Sequence, residues 1–405
     1  MRTWMFCENP YPEAWDKSSV SLRNSLPSRY CDPKKAADIL HRHLDEWAMA
    51  DEWGLDICVN EHHSTATCLT ADCTLPLYAL ARETKTARLM SLGIHIANRP
   101  DPIRVAEQIA MIDVLSRGRF EMGLVKASPY EIYPANAQPV GQMRRFLEAY
   151  DLICKALANQ DGPFSWEGEF FHFRDVNIWP RPYQQPYPPT WFVSLSPTGG
   201  AWTAERGAKV ATFLSGRVSK ILFDNYRKRA IEVGKPHGPE QFGYLAIVAC
   251  AEKEEEAKRR AWEICGYLRT SPIVAKQWVN PPGYMPVEDN AKALRASQKP
   301  GYVPAYATIL RHDGSRIPQA TASIDEMIDN YVVFAGTPDQ VFNQIKEYND
   351  YVGGLGNLIM MGQGGELTHA ETVDSYSLFA KHVQPRLKDL QADPYVERRK
   401  DRAAA

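Results

Sequence analysis

The sequence predicts an α/β protein with the (β/α)8 architecture of a TIM barrel, with insertions over the C-terminal face of the barrel. Apolar segments of strand length alternate with segments of helical spacing along most of the 405 residues. The turns between them are short, which favours parallel strands because each helix returns the chain across the sheet. No Gly-x-Gly-x-x-Gly motif follows the first strand, so a doubly wound open sheet is the weaker alternative.

The first half of the chain alternates regularly. Strands are predicted at 3–7, 55–59, 89–96 and 119–125, and the helices between them at 33–53, 75–86 and 102–115. The first helix has the clearest pattern, since Leu40, Leu44 and Trp47 share one face. Gly54 ends this helix.

The second half continues the pattern with more interruptions. Strands are predicted at 189–195, 209–214, 242–249 and 355–361, and helices at 142–158, 197–206, 218–233, 252–268 and 369–383. Residues 164–180 alternate around Gly168 like a surface hairpin. Residues 269–322 break the alternation and are long enough to form a lid. We expect one domain over residues 1–390 and a frayed tail over 391–405.

Composition excludes several classes of protein. Hydrophobic residues make up 44% of the chain, which rules out intrinsic disorder. The net charge of −2 gives no basic surface for nucleic acid or anionic lipid, so small neutral partners fit better. No apolar run of ~18 residues predicts a membrane helix, and no signal peptide is visible. Eight cysteines without a CxxC pair indicate reduced thiols and a cytoplasmic location.

The strongest functional motif is Asn60-Glu61-His62-His63, directly after the second predicted strand. The C-terminal ends of barrel strands surround the active site, so polar residues there are typical of catalysis or ligand binding. Adjacent residues at a strand end point in opposite directions, so His62 and His63 are poorly placed to share an ion, and we expect no metal site. A neutral imidazole acting as an acid, a base or a hydrogen-bond donor to a cofactor fits better. For His63, capping of local backbone groups is an equal alternative.

Three further positions carry weaker indications. Ser196 after the fifth strand begins a helix by the N-cap rule, and with Gly199 nearby the free amides of its first turn can approach a phosphate. A plain capped helix is the simpler interpretation. Lys126, just past the fourth strand, either offsets phosphate charge or is solvated. His95, near the end of the third strand, is either a hydrogen-bonded core residue or a catalytic one.

Taken together, these residues resemble the bacterial luciferase-like flavin monooxygenases. The resemblance covers residues 53–216 and 334–362 and rests on four stretches: GLDICVNEHHS, LGIHIANRPDPIRVAEQIAMIDVLSRGRFEMGL, PPTWFVSLSPTGGAWTAERGA and FAGTPDQVFNQI. It implies a (β/α)8 barrel that binds reduced FMN at its C-terminal mouth. His62 then matches the active-site histidine of the family, Glu61 and His63 line the same pocket, and we expect His95 to act with the two histidines in catalysis.

The resemblance also implies a set of cofactor contacts. A non-prolyl cis peptide that packs against the isoalloxazine in the family falls at His95–Ile96, and the family's basic residue beyond the fourth strand corresponds to Lys126. Val125 stands where luciferase has a reactive cysteine, which argues against light emission and aldehyde oxidation. The cofactor-binding residues predicted in this way are Glu61, Ile96, Val125, Lys126, Leu195, Ser196 and Gly199.

The activity implied by the resemblance is that of a two-component monooxygenase. Reduced FMN from a separate flavin reductase would react with O2 to a flavin hydroperoxide that inserts one oxygen atom into a small organic substrate. Segment 269–322 would exclude water, with Trp278, Tyr284 and Tyr302 near the substrate. By family analogy we expect a homodimer. The alternatives are a deazaflavin-dependent hydride-transfer enzyme of the same superfamily, a non-catalytic flavin-binding relative and an unrelated metal-dependent barrel hydrolase.

Overall fold

The predicted strands form a closed barrel. The structure, a computed structural model, describes residues 1–299, 303 and 307–391. The eight barrel strands in this part of the chain are β1 Arg2–Cys7, β2 Asp56–Val59, β3 Leu89–Ser91 with its continuation Ile94–His95, β4 Phe120–Val125, β5 Thr190–Val193, β6 Lys209–Phe213, β7 Phe242–Cys250 and β8 Asn357–Met361. Each strand pairs in parallel with its sequence neighbours, and β8 pairs with both β7 and β1. This closure confirms the predicted barrel.

Helices cover the outside of the barrel. Those of the described residues are α1 Pro33–Trp53, α2 Thr74–Glu83, α3 Pro102–Leu115, α4 Gln142–Ala158, α5 Pro197–Glu205, α6 Ser219–Glu232, α7 Glu254–Ile264, α8 Gly266–Thr270, α9 Lys276–Val279, α10 Val287–Ser297, α11 Ile324–Asp329, α12 Pro338–Val352, α13 His369–His382 and α14 Gln384–Leu387. Short 3-10 helices lie at Pro12–Lys17, Ser28–Tyr30, Pro129–Glu131, Gly216–Val218, Pro239–Gln241 and Lys388–Gln391. None of the described helices combines the length and the apolar character needed to span a membrane.

Local capping chemistry explains why α1 and α3 have the predicted bounds. Asp32 accepts a hydrogen bond from the Lys34 amide, and Asp101 accepts one from the Arg104 amide. Each cap is followed by proline, whose fixed φ suits the first helical position. Gly54 ends α1 in a left-handed conformation at φ 68°.

Additional strands and the insertion modify the barrel. An antiparallel hairpin of Phe164–Glu167 and His172–Val176 confirms the predicted surface hairpin. The predicted helix over 252–268 is divided into α7 and α8, and a short strand, Val333–Gly336, that the sequence analysis missed pairs with the second half of β7. The insertion, residues 269–322, contains α9, α10 and a hairpin of Thr308–Leu310 and Arg316–Pro318 among its described residues. Tyr302 and the tail beyond residue 391 lie outside the described residues.

Side chains alternate between two hydrophobic cores. Along β1, Trp4 and Phe6 belong to a cluster inside the barrel, whereas Met5 and Cys7 belong to the larger cluster between the barrel and its helices. Inside the barrel, Trp4 meets Trp191 edge to face with 6.4 Å between the ring centroids. Aromatic and aliphatic side chains therefore fill the interior, so we expect ligands at the rim of the barrel.

A buried ion-pair network lies inside the barrel at the end opposite the mouth. Glu121, the second residue of β4, accepts hydrogen bonds from Arg88 Nε at 2.6 Å, Lys209 Nζ at 2.9 Å and Trp191 Nε1 at 2.6 Å. Burial opposes ionisation of Glu121, but the charges of Lys209 and Arg88 outweigh it and lower the pKa of Glu121. The buried carboxylate is therefore the shared counter-ion of two partly exposed cations.

Removal of this carboxylate is expected to destabilise the fold. Glu121→Ala leaves Lys209 and Arg88 without their counter-ion, so the free energy of unfolding should fall by about 3 kcal/mol. Urea denaturation followed by circular dichroism measures the change. The matched control is Glu107→Ala, which removes an exposed ion pair with Arg104 and should cost less than about 1 kcal/mol. Equal effects of the two variants would contradict the assigned role of Glu121.

Candidate active site

Three histidines meet at the C-terminal mouth of the barrel. His62 and His63 follow β2, and His95 is the last residue of β3. The ring centroids of His63 and His95 are 5.2 Å apart, and those of His62 and His95 are 5.9 Å apart. His95 is buried, whereas the side chains of His62 and His63 are 19% and 32% exposed. The structure thus brings together the three residues that the sequence analysis selected as catalytic.

A buried carboxylate that the sequence analysis missed holds this cluster together. Glu131 belongs to the 3-10 turn after β4, and its Oε1 lies 3.0 Å from His62 Nδ1 and accepts the His63 amide at 3.1 Å. Its Oε2 accepts the Ser128 amide at 2.9 Å and lies 3.6 Å from His95 Nδ1. Burial favours the neutral form, but the charges of His95 and His62 outweigh it and lower the pKa of Glu131 to about 2. Glu131 is therefore an anion that faces all three histidines.

A second buried carboxylate, Glu61, anchors the opposite side of the cluster. Arg99 Nη2 lies 3.1 Å from both of its oxygens, and the His95 amide donates to Oε1 at 3.2 Å. His63 Nε2 lies 3.5 Å from the same oxygen. Burial opposes ionisation, but His63, His95 and Arg99 together hold the pKa of Glu61 well below its usual range. Since these protein groups surround its carboxylate, Glu61 holds His63 and Arg99 in place.

The pKa values of the two imidazoles beside Glu61 are shifted in opposite directions. The hydrogen bond to Glu61 raises the pKa of His63 above its ordinary value. Burial lowers the pKa of His95, and Glu131 and Glu61 only partly offset this effect. The site therefore combines an imidazole whose pKa is raised with one whose pKa is lowered, and such a pair suits acid–base chemistry near neutral pH.

His62 lies between two acidic side chains. Its Nδ1 faces Glu131, and its Nε2 is 3.9 Å from Glu8, the residue that follows β1. Asn60 donates to Glu8 at 2.6 Å, and burial raises the pKa of Glu8. The Tyr130 hydroxyl also lies 3.2 Å from His62 Nδ1. This arrangement fixes the orientation of the ring and gives it partners for proton transfer at both nitrogens.

The predicted phosphate-binding residues lie at one part of the rim. Leu124 of β4 pairs with Phe192 of β5, so Lys126 and Ser194 each come two residues beyond that pair on adjacent strands. Ser196 caps α5 by accepting the Gly199 amide at 3.1 Å. A Cβ on Gly199 would lie 2.0 Å from Ser194 Oγ, so only glycine fits this close approach. The predicted contact Leu195 is exposed beside them.

The insertion packs against the same mouth. Tyr284 places its ring centroid 4.3 Å from Lys126 Nζ, a cation–π contact. Trp278 packs edge to face on Tyr133, which belongs to the loop after β4. Two of the three predicted lid residues, Trp278 and Tyr284, are therefore in contact with the mouth loops, and the third, Tyr302, lies outside the described part of the chain.

The predicted position of the non-prolyl cis peptide is wrong. It lies at Leu92–Gly93 and not at His95–Ile96. A Cβ on Gly93 would be 2.8 Å from the Gly123 carbonyl oxygen, so β3 and β4 approach too closely at that point for any other residue. Ile96 is fully buried in the larger core, and Val125 lies partly exposed at the end of β4.

Within the described part of the chain, two sets of side chains have the composition of a metal site. In each set the ligand atoms lie within 4.8 Å of one another: Glu61, His63 and His95 form one, and His62, His95 and Glu131 form the other. The two adjacent histidines fall into different sets, in agreement with the expectation that they do not share an ion. His95 belongs to both sets, which was not predicted from the sequence. The expected absence of a metal stays a prediction.

The chain is similar in sequence to known monooxygenases. The sequence pattern of the luciferase-like monooxygenases matches residues 25–353, well over half of the chain. The chain belongs to this family. Limonene 1,2-monooxygenase of Rhodococcus erythropolis is 23% identical over 85% of this chain and 79% of its own length. The oxygenase component of the flavin-dependent trigonelline monooxygenase of Acinetobacter baylyi is 28% identical over 45% of this chain.

The chain matches only part of several relatives in sequence, but it resembles solved structures of the same fold over nearly its full length. The chain spans about half the length of several curated relatives, including 51% of the trigonelline monooxygenase component. The FMN complex of the oxygenating constituent of 3,6-diketocamphane monooxygenase from Pseudomonas putida has a TM-score of 0.69 at 19% identity, covering 95% of this chain and 98% of that one. An F420-dependent secondary alcohol dehydrogenase has a TM-score of 0.62 at 15% identity, covering 95% and 99%. Both likenesses show the luciferase-like barrel fold.

Proposed function

We propose that this luciferase-like monooxygenase uses reduced FMN, supplied by a separate flavin reductase, and O2 to insert one oxygen atom into a small organic substrate. The observation that carries the proposal is the cluster of His62, His63 and His95 around the buried Glu131 at the mouth of the barrel. The named flavin-dependent relative and the FMN-bound structural neighbour support the choice of cofactor.

The residues at the mouth fit a flavin mononucleotide. Lys126, the hydroxyls of Ser194 and Ser196 and the N-terminus of α5 offer a cation and hydrogen-bond donors for the phosphate. Gly199 gives the backbone room for a close approach at the same place. His95 Nδ1 is buried and makes no hydrogen bond among the described residues, and it faces Glu131 Oε2 at 3.6 Å. When bound, reduced FMN supplies the electrons that activate O2.

The protein groups then control protons and water. Glu131 is paired with Nδ1 of His62. His62 therefore releases and accepts its exchangeable proton at Nε2, between Glu8 and the open mouth. Glu61 keeps His63 in position beside His95. Contacts of Trp278 and Tyr284 with the mouth loops keep bulk water from the site, which limits the wasteful release of hydrogen peroxide.

A labelled-oxygen assay tests the proposed reaction. The protein is supplied with a generic flavin reductase, a reduced nicotinamide, FMN and a panel of ketones, thioethers and heteroaromatic compounds under 18O2. We expect mass spectrometry to find one 18O atom in a product and oxygen uptake to depend on the substrate. If every compound that the protein converts is converted without uptake of oxygen, the protein does not act as a monooxygenase.

Lys126→Ala tests the phosphate contact. Loss of the cation should weaken binding of FMN by roughly tenfold, because a charge-assisted hydrogen bond is removed. Riboflavin lacks the phosphate, so its binding should not change. Fluorescence titration of both ligands provides the measurement, and Lys34→Ala, on the exposed first turn of α1, is the control. An equal loss for FMN and riboflavin would show that Lys126 does not contact the phosphate.

The alternative function is deazaflavin-dependent hydride transfer. The structural likeness to an F420-dependent alcohol dehydrogenase favours it as the second candidate. Hydride transfer needs no oxygen, so turnover with F420 under anaerobic conditions identifies it directly. We expect no anaerobic turnover with F420 and a substrate-dependent uptake of O2 with reduced FMN.

We also propose a homodimer in the cytoplasm. Helices α2 and α3 expose four large apolar side chains to solvent, and such side chains are candidates for burial at an interface. They are Leu75, Met111, Val114 and Leu115. Sedimentation velocity should give twice the mass of the chain, and Met111→Glu should shift the protein toward the monomer. A monomeric wild-type protein would contradict the dimer. All eight cysteines are free thiols, in keeping with a reducing compartment.

A further inference from the structure

A cavity of about 470 Å³ lies beside the histidine cluster, between the loops that follow β2, β3 and β4. Its wall includes His63, Ser64, His95, Asn98 and Arg99. A volume of a few hundred Å³ is typical of sites for small organic molecules. Since two of the predicted catalytic histidines belong to the wall, a molecule in this cavity lies next to the proposed reaction centre.

The charge that faces the cavity is positive. Arg99 and His63 line it, and among the described lining residues none is an aspartate or a glutamate. The nearby carboxylates Glu61 and Glu131 are buried behind the wall, with essentially no exposed side-chain surface. A bound molecule therefore meets cationic and neutral donors directly, whereas the carboxylates act on it only through the side chains that they hold.

Arg99 is held in place and still has unused donors. Its Nη2 lies 3.1 Å from both oxygens of Glu61, which fixes the plane of the guanidinium group. Nε and Nη1 have no protein hydrogen-bond partner among the described residues. The free N–H groups on Nε and Nη1 point to different sides of the oriented guanidinium, so each can donate a separate charge-assisted hydrogen bond to an anion in the cavity. His63, which Glu61 holds from the same side, adds a second donor.

We propose that this cavity binds the carboxylate group of the substrate, with Arg99 and His63 as its recognition residues, so that the substrate class is a small organic acid. Identification of this acid as the substrate rests on the proposed function, whereas binding of a carboxylate to the flavin-free protein does not. A carboxylate accepts charge-assisted hydrogen bonds from these donors, and such bonds are stronger than those that a neutral amide of the same shape accepts. Held at Arg99, the acid is fixed at one end beside His95.

Benzoate and benzamide test the proposal on the unaltered, flavin-free protein. They share shape and ring, but only benzoate is charged. Isothermal titration calorimetry should show benzoate binding at least roughly tenfold more tightly than benzamide, because hydrogen bonds between charged groups are the stronger ones. Equal affinities, or no binding of benzoate at millimolar concentrations, would overturn the proposal. This comparison needs no variant and no activity.

Two variants locate the binding site. Arg99→Lys keeps a positive charge for Glu61 but loses the separate Nε and Nη1 donors, so benzoate affinity should fall roughly fivefold to tenfold. Arg104→Lys makes the same exchange at an exposed residue of α3 and should leave benzoate binding unchanged. Unchanged binding in Arg99→Lys would overturn the assignment. Displacement of benzoate by inorganic phosphate and FMN, and by no other ligand, would also overturn it, because the cavity would then be the cofactor's phosphate site. If the protein binds benzoate as predicted but shows no FMN-dependent oxygenation, the proposed function fails and the carboxylate site stands.

Discussion

His62→Gln is expected to lower the amount of oxygenated product per reduced FMN by roughly 10²–10⁴-fold, the range for loss of a general acid or base. Glutamine keeps a polar group at the position but cannot exchange a proton as an imidazole does. The environment of His62 explains the size of the effect. Glu131 fixes Nδ1 at 3.0 Å, and Glu8 lies 3.9 Å from Nε2, so the ring lies between two carboxyl groups that it can exchange a proton with.

The measurement separates loss of coupling from loss of cofactor binding. Product is quantified by mass spectrometry and hydrogen peroxide by a peroxidase assay in the same reaction. We expect peroxide to rise as product falls, while the affinity for reduced FMN changes little. His172→Gln is the control, because His172 is an exposed residue of the surface hairpin, paired with Glu167. Wild-type coupling in His62→Gln would remove His62 from the mechanism.

Glu131→Gln is expected to lower kcat by roughly tenfold to a hundredfold through a loss of about 1–3 kcal/mol of hydrogen bonding in the transition state. The carboxylate accepts from His62 Nδ1 and from the amides of His63 and Ser128. A neutral amide has one acceptor oxygen in place of two and directs an N–H group at one of these partners. The histidine cluster then loses its common anchor.

A split between kinetic constants distinguishes positioning from simple destabilisation. Glu131 touches the histidines and not the substrate, so kcat should fall while KM and the affinity for reduced FMN stay close to the wild-type values. Glu131→Asp keeps the charge and should recover part of kcat. Glu169→Gln, which changes an exposed carboxylate of the surface hairpin, provides the control. Parallel loss of FMN binding and kcat in Glu131→Gln would assign the residue a structural role only.

Local sequence determined the parts of the fold that could be predicted. Helix α1 begins at Pro33 because Asp32 caps it, and it ends at Gly54 because glycine takes the left-handed conformation there. The interruption of β3 could not be found in this way. It depends on contact of Gly93 with Gly123 of the neighbouring strand, which is distant in sequence and leaves no periodic pattern.

The candidate site shows the same division. Glu61, His62 and His63 were found because they follow a strand whose end must face the barrel mouth. Glu131 and Arg99 were missed because their roles come from contacts between the loops of different strands. For Glu131 one local pattern was available. Its spacing from Ser128 is that of a capping box, which the structure contains and which marks a fixed turn just beyond β4.

The most direct test of the account is an anaerobic titration of the protein with reduced FMN, followed by absorbance and by equilibrium dialysis. We expect saturable binding of one reduced FMN per chain. Lys126→Ala should weaken this binding, and excess FMN should compete with it whereas F420 should not. Binding of F420 in place of FMN, or no binding of reduced FMN at concentrations well above those of cellular flavin, would contradict it.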